Sequence, residues 1–69
     1  MAGILRVTIL THVRNAPNGI TFSQLVRNKF KGRVAPEDIN EELANLVRSG
    51  LITTDDNGTF SATTQGNQQ

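Results

Sequence analysis

A chain of 69 residues makes one domain with a small core, because at this size only about 60% of the extended surface is buried on folding. The absence of cysteine excludes disulfides, thiolate metal sites and thiol nucleophiles, and no apolar run approaches the ~20 residues of a membrane span. Seven Lys and Arg against six Asp and Glu give a net charge of +1, so any attraction to nucleic acid has to be local.

The start, Met-Ala-Gly-Ile-Leu-Arg, lacks the charged head and long apolar middle of a secretory leader, which predicts a cytoplasmic protein. Residues 3–14 follow, apolar on more than one side. As a helix they carry one stripe of Leu5, Ile9 and Val13 and a second of Val7 and Leu10, with Arg14 beside it. The β-branched content also permits a strand, but a run of this length ending at the breaker Asn15-Ala16-Pro17-Asn18-Gly19 favours the helix. Two stripes require two partners. One is the domain's own core; the second is either a further part of the chain or a second copy, which makes Val7, Leu10 and Arg14 a candidate homodimer surface. His12, near Leu5 and Ile9, reads as a boundary residue.

Ile20-Thr21-Phe22-Ser23-Gln24-Leu25 is a helix-start signal. Thr21 and Gln24 have the spacing of a capping box, and Ile20 and Leu25 that of a hydrophobic staple. The helix is expected from 22 to about 30, with Phe22, Leu25, Val26 and Phe30 inward and Gly32 at its end. Pro36 suits the first turn of the next helix, and Glu37 and Asp38 favour its positive end. Across 38–51, Ile39, Leu43, Leu46 and Val47 form one stripe, and Gly50 is placed to stop the helix.

A hairpin is expected over 52–55 and 59–63 around Asp56-Asn57-Gly58. A two-residue loop would put Ile52 and Phe60 on opposite faces. A three-residue loop with Gly58 as the bulge residue pairs Thr54 with Phe60, which puts Ile52, Thr54, Phe60 and Ala62 on one usable apolar face. The domain is expected over 1–64, with 65–69 a disordered tail.

The order helix, turn, short strand at Ile20, helix, connector, helix, hairpin resembles the winged helix-turn-helix family of DNA-binding domains. The most specific stretch is Leu43-Ala-Asn-Leu46-Val-Arg-Ser-Gly50-Leu51-Ile52, similar to the family's third-helix ending. Residues 20–25 resemble its entry into the second helix. The resemblance implies an α+β, mostly α fold: a three-helix winged helix-turn-helix with a C-terminal β-hairpin wing. It further implies a small DNA-binding transcriptional regulator whose third helix approaches the major groove, with Glu37, Glu41, Ala44, Asn45 and Arg48 on the outward face. Two carboxylates there would repel phosphate, and the connector from Phe30 to Pro36 is longer than the turn of the simplest helix-turn-helix. Contact with double-stranded DNA is therefore expected mainly through phosphates.

The basic run Arg27-Asn28-Lys29-Phe30-Lys31-Gly32-Arg33 holds four of the seven Lys and Arg. Arg27, Lys29, Lys31 and Arg33 are candidate phosphate contacts, against the plainer reading of a solvated helix end whose cations offset the dipole. Asn45 and Arg48 would lie nearest the groove, and Arg48 equally suits a dipole partner. In the wing, Asn57 and Gly58 are candidate contacts, although the tip carries no cation and reads chiefly as a turn. A different class of function, a protein-interaction adaptor, would use Glu37, Glu41 and Glu42 against a basic partner; otherwise these are first-turn and exposed charges. No catalytic constellation, metal-ligand spacing, Gly-rich phosphate loop or cofactor motif is present in the sequence.

Overall fold

The computed structural model describes residues 2–67. Helix α1 (Ala2–Arg14) leads to a two-residue strand β1 (Ile20–Thr21). Helix α2 opens as an α-helix over Phe22–Gln24 and continues as a π-helix over Leu25–Lys29. Helix α3 (Pro36–Arg48) is followed by β2 (Ile52–Thr54), β3 (Thr59–Ala62) and a short α4 (Thr64–Asn67). Thus 64–67, placed partly in an irregular tail on composition alone, adopt a helical turn, and 68–69 lie outside the described residues.

The strands form one antiparallel sheet in the order β1-β3-β2. Register follows the bulged loop: Ile52 opposes Ala62, Thr53 opposes Ser61, and Thr54 opposes Phe60. Ile20 and Thr21 extend the sheet against Phe60 and Thr59, so β3 is paired on both sides. Gly19 lets the chain enter β1. Its φ is +87°, and a Cβ there would run into Thr59 Cγ2, with Ser61 Oγ 3.0 Å and the Phe60 carbonyl 3.1 Å away.

Ile9, Leu10, Val13, Ile20, Leu25, Ile39, Leu43, Leu46 and Ile52 make the core, drawn from α1, β1, α2, α3 and β2, with Phe60 and Ala62 of β3 packed against it. Leu10 is 7% exposed, so it belongs to the core and not to a dimer surface. The second stripe of α1 splits: Leu10 turns in beside Ile9 and Val13, and Val7 stays out with Ile4. The reason is that α3 and β3 both pack on α1 and widen its buried face.

Helix α3 is bounded by local chemistry at both ends. Pro36 occupies its first turn after Ala35, with Glu37 and Asp38 beside the positive end. At the other end Gly50 has φ +80°. Its N–H donates to the Val47 carbonyl at 3.0 Å, and the Leu51 N–H donates to the Leu46 carbonyl at 3.1 Å, the paired bonds of a Schellman ending. The buried stripe is Ile39, Glu42, Leu43 and Leu46. Val47, expected inside, is 37% exposed, and Glu42, expected outside, is 7% exposed. The arrangement is a three-helix winged helix-turn-helix with β2 and β3 as the wing. No helix among the described residues is long and apolar enough to cross a membrane.

Candidate nucleic-acid interface

The basic surface is built on α2 and the connector after it. The Thr21–Gln24 capping box starts the helix: the Gln24 N–H donates to Thr21 Oγ1 at 3.1 Å, and the Thr21 N–H donates to Gln24 Oε1 at 3.0 Å. From Leu25 the turns widen, with the Phe30 N–H donating to the Leu25 carbonyl at 2.9 Å. That five-residue step is the signature of a π-turn, within which Lys29 is exposed. Lys31 then takes a left-handed backbone, φ +53°, uncommon outside glycine, and Gly32 follows at +75°. Gly32 and Arg33 N–H groups donate back to Val26 at 3.0 Å and Phe30 at 2.9 Å. The helix end is thereby closed by its own backbone bonds.

Phe30 is half-buried and pins this end to α1, meeting the His12 ring edge-on at 5.5 Å and 88°. Desolvation, and after it the nearby Lys29 charge, lower the His12 pKa, so the imidazole is neutral at pH 7. Arg27, Lys29, Lys31 and Arg33 are all exposed, and none makes an ion pair among the described residues. Four mutually unneutralised cations thus lie within seven residues of chain.

The outward face of α3 carries Glu37, Glu41, Ala44 and Arg48, all exposed, with Asn45 half-buried at its edge. Glu42 does not belong to that face. Its Oε1 accepts from Arg6 Nε at 2.8 Å and from Asn45 Nδ2 at 3.4 Å. The hydrogen bond from Arg6, foremost, holds the Glu42 carboxyl below its ordinary pKa of 4.5. Of the carboxylates Glu37, Glu41 and Glu42 expected to be exposed together, Glu42 is therefore corrected to a buried partner of Arg6, while Glu37 and Glu41 are exposed. Arg6, from α1, has no part in the sequence-derived site. Local pattern does not reveal it, because its partner Glu42 is 36 residues away.

At the wing tip Asp55 Oδ1 accepts from the N–H groups of Asn57 and Thr59, each at 2.9 Å. The Gly58 N–H donates to the Asp55 carbonyl at 3.1 Å. The backbone donors of Asn57 and Gly58 are turned into the loop, leaving the Asn57 side chain exposed. Among the described residues no cluster of three or more His, Asp or Glu could hold a metal ion.

No protein-family profile matches the sequence, and no curated protein matches it. Among solved structures the chain is similar to an O-methyltransferase (NcsB1) from neocarzinostatin biosynthesis, solved with S-adenosyl-L-homocysteine, at 23% identity and a TM-score of 0.67. The match covers 97% of this chain and 22% of that one, so the chain spans about a fifth of that protein's length. At this identity the likeness is one of fold.

Proposed function

We propose that this chain is a small cytoplasmic winged-helix regulator that binds duplex DNA mainly through its phosphates. The observation that carries the reading is the exposed set Arg27, Lys29, Lys31 and Arg33, none of which is in an ion pair among the described residues. A helix end needs one or two cations to offset its dipole, and four exceed that need. Such contacts position a protein on DNA without reading its sequence. Arg48, with Asn45 beside it, supplies the approach to the groove, and the wing adds the Asn57 side chain. Two copies pairing across α1 would meet through Ile4 and Val7, which are 67% and 62% exposed. The Thr8 and Thr11 hydroxyls on that helix donate to their own backbone, to the Ile4 and Val7 carbonyls at 2.8 and 2.9 Å.

The test is a salt titration of binding to a random-sequence duplex. Log affinity should fall linearly with log salt, and Lys29→Ala with Lys31→Ala should flatten that slope by about 0.9 per lost contact. Absence of binding, or binding indifferent to salt, would refute the reading. The exposed carboxylates Glu37, Asp38 and Glu41 favour a second reading, an adaptor whose third helix docks on a basic protein. A complex with a basic protein that forms without DNA and is lost on Glu41→Lys would establish it.

A further inference from the structure

The polar groups beside Arg48 form a continuous line that runs from the part-exposed Arg6 through the buried Glu42 and back to the surface. Arg6 Nε donates to Glu42 Oε1 at 2.8 Å, Asn45 Nδ2 donates to the same oxygen at 3.4 Å, and Arg48 Nη2 donates to Asn45 Oδ1 at 3.1 Å. Each member dictates the next. Glu42 is nearly buried and is held by Arg6, so it cannot turn away. Its carboxylate presents only acceptors, which forces the amide nitrogen of Asn45 inward. The amide oxygen is thereby aimed at the guanidinium. The opposite orientation would set oxygen against carboxylate and NH₂ against guanidinium, both repulsive.

Two consequences follow for the outward face of α3. Asn45 has one N–H committed to Glu42 and one lone pair committed to Arg48, so its amide orientation is set from within the protein. Arg48 is tethered through one donor while its others face solvent, with no further bond among the described residues. The Arg6 charge also offsets Glu42 at short range. Because Asn45 is neutral, Arg48 keeps a full positive charge at the surface.

We infer that Glu42 and Asn45 are positioning residues that hold Arg48 ready for a phosphate or a guanine edge, with Arg6 as their anchor on α1. This deepens the phosphate-binding reading and rests on it. An arginine that is already ordered loses less side-chain freedom when it binds, so the benefit appears as affinity without an added contact.

The experiment has two arms. In the free protein, ¹⁵N relaxation and hydrogen exchange at Arg48 Nε–H should report an ordered side chain that becomes mobile in Asn45→Ala and Glu42→Leu. Glu42→Gln, which keeps an acceptor at the same place, should restore much of the order. Asn45→Ala keeps the test sound if the Glu42 variants fold poorly. With a fluorescent random-sequence duplex, Arg48→Ala should weaken binding and lower the salt slope by about one. Asn45→Ala should weaken binding several-fold while leaving the slope unchanged, since the charge remains and only its order is lost. Equal mobility of Arg48 in wild type and Asn45→Ala overturns the inference whatever the protein binds. Undiminished binding by Arg48→Ala, with loss in Lys29→Ala/Lys31→Ala, also overturns it and leaves the phosphate reading standing. No binding by the wild type overturns that reading instead.

Discussion

Helices α2 and α3 are neighbours in sequence and carry opposite charge, and they are built in different ways. Helix α3 is regular from Pro36 to Arg48 and is bounded at both ends by residues whose local chemistry defines those ends. Helix α2 has an equally well-made start, then widens into a π-turn and leaves through two left-handed residues, Lys31 and Gly32. The regular helix buries a carboxylate and closes it with a partner from α1. The irregular one buries Phe30 against His12 and leaves every cation outside. Regularity thus accompanies the core-forming helix, and departure from it accompanies the charged surface.

The largest effect that sharpens the contrast is in the α3 stripe. Leu46→Ala should cost about 2–5 kcal/mol. That is about half the stability of a domain worth roughly 0.05–0.15 kcal/mol per residue, and urea unfolding would show it. Val47→Ala, one residue on but partly exposed, should cost under about 1 kcal/mol. Similar losses at both positions would mean that the two have been assigned to the wrong faces.

The Schellman ending comes next. Gly50→Ala meets ordinary space, with Gln65 Oε1 3.6 Å from the added carbon, so its expected cost of about 1–2 kcal/mol comes from the φ of +80° alone. Removing the α2 cap with Thr21→Ala should cost about 1 kcal/mol. Thermal denaturation of both variants would show whether the two helix boundaries differ in weight as expected.

The smallest effect is on acid stability, and it separates the two helices by pH. The pKa of His12 is lowered on folding, so near its ordinary value of 6.5 the unfolded chain binds the extra proton and stability falls as pH drops through that range. Glu42 is also lowered. Its contribution is complete above the ordinary value of 4.5 and disappears as pH falls through the lower folded value. Urea midpoints measured across pH should therefore decline in two stages. His12→Phe should abolish the upper stage, at the α2 contact, and Glu42→Gln the lower one, at α3.

Much of the fold was legible because its signals are local. Pro36 and Gly50 bound α3, Thr21 and Gln24 start α2, and the three-residue loop ending at Gly58 sets the hairpin register through short-range geometry. Part of the site was legible too: Arg27, Lys29, Lys31 and Arg33 are exposed as their charge predicts, since full burial would require partners that the chain does not supply. Less legible were the faces of α1 and α3. Periodicity placed Val47 within its stripe, and only the packing of α1 across it shows that Glu42 takes the inner position.

By itself the sequence determined, to within a residue or two, where α1, α2 and α3 start and stop, how the wing turns and where positive charge accumulates, because those outcomes depend on residues within a few positions of one another. Tertiary structure alone decided that Leu10 joins the core and Val7 does not, that Phe30 meets His12 through a π-turn, and that Glu42 turns inward to Arg6. Each of these depends on which distant element arrives to take up the same space or charge, and neither periodicity nor composition records that arrival.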